Sequence, residues 1–70
     1  ITLRTTAEGV ALRWSTRTAD YTLIKRLPSN SPVVPLETDA ESKIGVYGKW
    51  LKVRDQSGTE GYMAAWYLEK

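Results

Sequence analysis

Lys49-Trp50-Leu51-Lys52-Val53-Arg54-Asp55, then Gln56-Ser57-Gly58-Thr59, then Glu60-Gly61-Tyr62-Met63-Ala64 is the stretch on which the fold turns. Two β-forming runs are joined by a short polar segment containing glycine, the pattern of a β-hairpin. Side chains alternate along a strand with period two, so Leu51 and Val53 share one face while Trp50, Lys52 and Arg54 share the other. The aliphatic pair is expected to face the core. On the returning strand Met63 then joins Leu51 and Val53, and Tyr62 and Ala64 point the way Trp50 does.

Outward from the hairpin, Glu8-Gly9, Asp20, Pro28-Ser29-Asn30-Ser31-Pro32, Pro35, Gly45 and Gly48 interrupt each apolar run before it reaches helical length. The runs between them, residues 9–14, 21–27 and 32–37, join 49–55 and 60–65 as five short strands. Pro35 lacks an N–H, which places its strand at an edge or breaks it there. Ala64-Ala65-Trp66-Tyr67-Leu68 does not alternate and is too short for an α-helix. It reads as a 3₁₀ turn leading into a last short strand, with Leu68 plugging the core. The fold class is therefore all-β, a small barrel of five to seven short strands. Residues 44–48 are expected to form a lip over one side of it.

Composition supports one small module. The chain has 70 residues, which is below the usual size of a domain, and residues 1–70 are expected to form a single domain cut from a longer protein. The chain carries no Cys and no His, so a disulfide staple, a thiol nucleophile, a Cys/His zinc site and an imidazole base are all excluded. No cofactor is called for. Ten basic residues against eight acidic ones leave a net charge of +2, too weak for strong electrostatic steering and an argument against nucleic acid as partner. No apolar run approaches the 18 or so residues of a membrane span. Asp55 and Glu60 flank the hairpin turn like a pair of catalytic carboxylates. Turns favour exposed acidic residues, and nothing nearby in sequence would raise either pKa.

The whole stretch from Gly9 to Leu68 resembles the bacterial Src-homology-3 (SH3b) domains. Val10-Ala11-Leu12-Arg13 is similar to the family's opening "LNVR", and Tyr21-Thr22-Leu23-Ile24-Lys25-Arg26-Leu27-Pro28 to its "YxVIGxLPKG". Trp50-Leu51-Lys52-Val53-Arg54 resembles "GWxKV", and the segment from Gly58 to Leu68 resembles "GxxGWVxxxYL". Trp14-Ser15-Thr16-Arg17 stand in place of the family's "SGPS", and Asn30 takes the place of a turn glycine, which Asn tolerates better than other side chains.

The resemblance implies an SH3-like barrel that binds without catalysing, as an accessory to a cell-wall hydrolase or another exported protein. Its ligand would be a cell-wall peptide or glycopeptide, its place extracellular or in the cell envelope, and the isolated domain monomeric. A second reading is a protein-interaction or spacer module that takes an extended or Pro-rich segment. A nucleic-acid-binding barrel ranks below both. Eukaryotic SH3 domains flank their ligand with a Trp and Tyr residues at positions that match Trp50, Tyr62 and Tyr67 here. Lys52 and Arg54, with Lys49, would rim such a groove and meet a carboxylate. Trp14 completes the candidate set. Against this stands a plain structural reading, in which Trp and Tyr fill the core of a Phe-free chain and the basic residues form a solvated face. Trp14, Trp66 and Tyr47 read equally well as core or surface, and Tyr21 reads as structural.

Overall fold

The hairpin centred on Gly58 organises the sheet. In the computed structural model, which describes residues 2–70, its arms are β5 (Trp50–Asp55) and β6 (Glu60–Ala64). They pair antiparallel in the register Leu51↔Met63, Lys52↔Tyr62 and Trp50↔Ala64. Leu51, Val53 and Met63 are fully buried, as the alternation requires. Trp50, Lys52 and Tyr62 are half-buried on the other face.

Five more strands complete one antiparallel sheet. They are β1 (Leu3–Thr5), β2 (Val10–Arg13), β3 (Leu23–Leu27), β4 (Pro32–Pro35) and β7 (Leu68–Glu69), and the order across the sheet is β3-β2-β6-β5-β4-β1-β7. Leu3, Val10, Leu12, Leu27, Val33, Leu51, Val53, Met63 and Leu68 form one buried cluster. Every strand contributes to it, so the sheet curls into an SH3-like barrel. A radius of gyration of 10.5 Å is close to the roughly 11 Å of a fully compact chain of this length. The barrel reaches that compactness with no disulfide, since the sequence has no cysteine.

A 3₁₀ turn (Ala65–Tyr67) separates β6 from β7, and Leu68 beyond it is 2% exposed, the expected plug. Leu3–Thr5 adds a strand that the five sequence runs did not include. β4 lies inside the sheet between β5 and β1, but it breaks off at Pro35, its last residue, which is the second of the two outcomes expected of that proline. β1 pairs only with Pro32 and Val33. At Pro35 the strand therefore has a neighbour on one side alone, and the missing N–H costs no ladder bond there. Asn30 adopts a φ of 62° in the β3–β4 turn, the left-handed conformation foreseen for it.

Two carboxylates tie loops to the barrel. Asp55 was expected to be solvent-exposed, and its side chain is 5% exposed instead. Its Oδ1 accepts the backbone N–H groups of Ser57 (3.0 Å) and Thr59 (2.9 Å) and the Ser57 hydroxyl, while Oδ2 is ion-paired with Lys25 of β3. Burial pushes its pKa up, but Lys25 and these hydrogen bonds outweigh burial and hold it below the usual carboxylate value. Glu37 accepts the Lys43 ammonium on Oε1 and the Lys52 N–H (2.7 Å) on Oε2. Lys43 foremost, then the Lys52 N–H, lowers its pKa as well. Glu37 thus anchors the β4–β5 loop, which holds a single helical turn, α1 (Ala40–Lys43).

Candidate ligand-binding groove

Pairing of Trp50 with Ala64 sets the first residue of β5 beside the start of the 3₁₀ turn, and an aromatic cluster grows from that contact. Trp66 is its centre. Its ring centroid lies 5.6 Å from that of Trp50 in an edge-on arrangement, 5.7 Å from Tyr67 and 5.0 Å from Tyr47. These separations lie in the range where tilted and edge-to-face ring pairs attract. Tyr47 arrives from the β4–β5 loop, between Gly45 (φ 77°) and Gly48 (φ 87°), a left-handed conformation that side-chain-bearing residues rarely adopt. The loop is pinned to the 3₁₀ turn by Gly45 N–H on the Ala65 carbonyl (2.9 Å) and Ala65 N–H on the Lys49 carbonyl (3.0 Å). This is the expected lip, and its edge is Tyr47, 84% exposed.

The four rings form one wall of a groove of about 500 Å³, with Ala64 and Val10 among its lining residues. Also lining it are Ala11 and Arg13 of β2, the turn Ala7-Glu8-Gly9, Thr18, and Arg26 of β3. In β2, Val10 and Leu12 are buried while Ala11 and Arg13 are half-buried. The alternation that turns the aliphatic residues inward therefore sends Arg13 into the groove.

The sequence-derived candidates divide. Trp50 and Tyr67 line the groove together. Tyr62 and Lys52 oppose each other one step further along the β5–β6 ladder and do not line it. Arg54, further still, reaches Glu60 at 3.6 Å across the same ladder, because these outward residues are directly paired. Trp14 lies on the β2–β3 loop, 58% exposed, with its indole N–H donating to the Tyr21 carbonyl (3.0 Å). Tyr21 is itself 65% exposed. It is no core residue, since the 3₁₀ turn Asp20–Thr22 buries Thr22 in its place. Trp66, Tyr47, Arg13 and Arg26 line the groove without having been singled out for it. The outward parity of Ala11 and Arg13 in Val10-Ala11-Leu12-Arg13 was the available signal for those two residues.

Among the described residues, no three His, Cys, Asp or Glu side chains gather as metal ligands would, and no helix is long and apolar enough to cross a membrane.

Of the three aromatic positions that the family resemblance marked, Trp50 and Tyr67 line this groove and Tyr62 does not. The model of the bacterial SH3 domain matches residues 8–69. The chain belongs to the bacterial SH3 domain family. Comparison with curated proteins and with solved structures returns no significant match. This bacterial SH3 domain is accordingly of a binding type, and its concave aromatic surface is suited to holding a peptide or protein segment.

Proposed function

We propose that this bacterial SH3 domain is a non-catalytic module that holds a cell-wall peptide in the Trp50–Trp66 groove, accessory to a wall hydrolase or other exported protein in the cell envelope. The observation that carries the reading is the groove itself, lined by four aromatic rings that pack around Trp66 and by two arginines. Its volume falls within the range of ligand sites, roughly 300–1,000 Å³. Rigid rings offer a large contact area at low entropy cost, which suits an extended backbone with few side chains of its own.

The test is co-sedimentation with insoluble peptidoglycan, together with titration of soluble muropeptides followed by Trp fluorescence. Wall binding, with a fluorescence change that Trp50→Ala abolishes, is the expected result. Absence of wall binding alongside salt-sensitive binding of single-stranded oligonucleotides overturns the reading in favour of the nucleic-acid barrel. Binding of a Pro-rich or extended protein segment, with none of peptidoglycan, overturns it in favour of the protein-interaction module.

A further inference from the structure

The lip that carries Tyr47 is made of two tight turns in succession. In the first, Val46 N–H donates to the Lys43 carbonyl (3.0 Å), with Ile44 at φ −57° and ψ 125° and Gly45 at φ 77°. These are the angles of a type II turn, whose third residue needs a positive φ and so favours glycine. In the second, Lys49 N–H donates to the Val46 carbonyl (3.3 Å), and Gly48 at φ 87° takes the same third position. Tyr47 is the second residue of that turn and stands at its corner, where it is 84% exposed.

Both ends of the lip are fastened. Gly45 N–H on the Ala65 carbonyl and Ala65 N–H on the Lys49 carbonyl tie it to the 3₁₀ turn, and Lys43, where it begins, is ion-paired with Glu37. The loop thus presents the Tyr47 ring before any ligand arrives. That ring lies 5.0 Å from Trp66, with the two planes 49° apart, and it lines the groove. A flat group held between two rings needs a contact distance on each side, about 7 Å in all. The separations of 5.0, 5.6 and 5.7 Å between Trp66 and its three neighbours fall short of that, so a ligand lies across these rings and not between them.

We propose that Tyr47 is a specificity-determining residue of the groove, whose preorganised ring, with that of Trp66, holds an extended peptide segment laid across the two. This rests on the groove being a peptide site, and it places part of the recognition on a loop turn instead of on the sheet. Rings fixed before binding lose little freedom on contact, so affinity depends on the turn as well as on the ring. A ring so exposed adds little to the stability of the barrel, and binding and stability therefore separate at this position.

Co-sedimentation with insoluble peptidoglycan, beside thermal melts, tests this in four variants. Tyr47→Ala should weaken binding about tenfold with a melting temperature within about 3 °C of wild type, and Tyr47→Phe should restore binding because the contact is made by the ring. Gly48→Ala keeps the ring but sets a β-carbon on a residue at φ 87°. Nothing lies within 4 Å of that β-carbon, so only the turn is disturbed, and binding should fall with Tyr47 still present. Val46 is on the same lip but does not line the groove, and Val46→Ala should bind as wild type does. Full binding by Tyr47→Ala, while Trp50→Ala loses it, overturns the role of Tyr47 and leaves the groove reading standing. A melting temperature that falls together with binding in Tyr47→Ala overturns it by making the ring part of the fold, and full binding by Gly48→Ala overturns the preorganisation. Wild-type protein that ignores peptidoglycan overturns the wall-peptide reading, and the same variants titrated with a Pro-rich decapeptide then decide Tyr47 separately. Protein that binds neither probe overturns both.

Discussion

Asp55 shows how far one side chain reaches in a barrel of this size. Its carboxylate ends the β5 strand, shapes the turn through Ser57 and Thr59, and fastens the hairpin to β3 through Lys25. Because its folded pKa lies below the unfolded value of about 3.9, it contributes stability above that value, and the contribution is lost as pH falls through the folded pKa. Asp55→Asn should lower stability at neutral pH by about 1–3 kcal/mol and flatten the unfolding free energy below pH 4 relative to wild type. Parallel acid limbs in denaturant titrations of the two proteins would refute that role. None of this was legible in the sequence, where Asp55 reads as an ordinary turn former, because its partner lies thirty positions away on a different strand. Gly61 is a second such residue. A β-carbon there would stand 2.6 Å from the Arg13 carbonyl oxygen and 3.1–3.2 Å from methyl carbons of Ile24 and Leu12, so β2 and β6 approach as they do only because the side chain is absent. Gly61→Ala is expected to cost roughly 1–3 kcal/mol, seen as a lower denaturant midpoint. An unchanged midpoint would mean that the β2–β6 contact yields easily.

Among the elements, the hairpin was the most readable and the β4–β5 loop the least, for physical reasons. A strand pair with one buried face writes its alternation into the sequence, and Leu51, Val53 and Met63 carry it. The loop from 36 to 49 has no such period, since its helical turn is only Ala40–Lys43 and its shape depends on Glu37 reaching Lys43 and the Lys52 N–H. β1 escaped notice because three residues, Leu3–Thr5, are too few for a pattern. The groove straddles this divide: Trp50 and Tyr67 come from readable elements, whereas Tyr47 depends on the loop. Glu37→Ala should therefore act at a distance. It removes an acceptor for the Lys52 N–H and frees the loop, so the Lys52 amide should exchange faster with solvent, and peptide binding on the Tyr47 side should weaken at a stability loss near 1 kcal/mol. Unchanged exchange at Lys52 would show that backbone bonds alone hold the loop.

For the molecule as a whole, the seven aromatic residues raise the question of what fills the core. A chain with no Phe and no disulfide has reason to bury its Trp and Tyr, yet the core cluster is wholly aliphatic, with Leu, Val, Ala and Met from every strand, the 3₁₀ turn and α1. No Trp or Tyr belongs to it; Trp50, Tyr62 and Trp66 are half-buried, and Trp14, Tyr21, Tyr47 and Tyr67 are exposed. Such a division keeps the rings out of the core cluster, and it lets loss of stability and loss of binding be told apart by experiment. Leu51 has no exposed surface and opposes Met63, so Leu51→Ala should cost about 2–5 kcal/mol, the range for buried leucines. Its neighbour Trp50 is only half-buried and packs edge-on against Trp66, so Trp50→Ala should cost less stability than Leu51→Ala while removing ligand binding from a folded domain. Adjacent residues on one strand would then differ in what they support, one the barrel and the other the groove. A Trp50→Ala protein that melts as early as Leu51→Ala would place Trp50 in the core after all, and the aromatic wall would have to be counted as part of the fold rather than as a surface it presents.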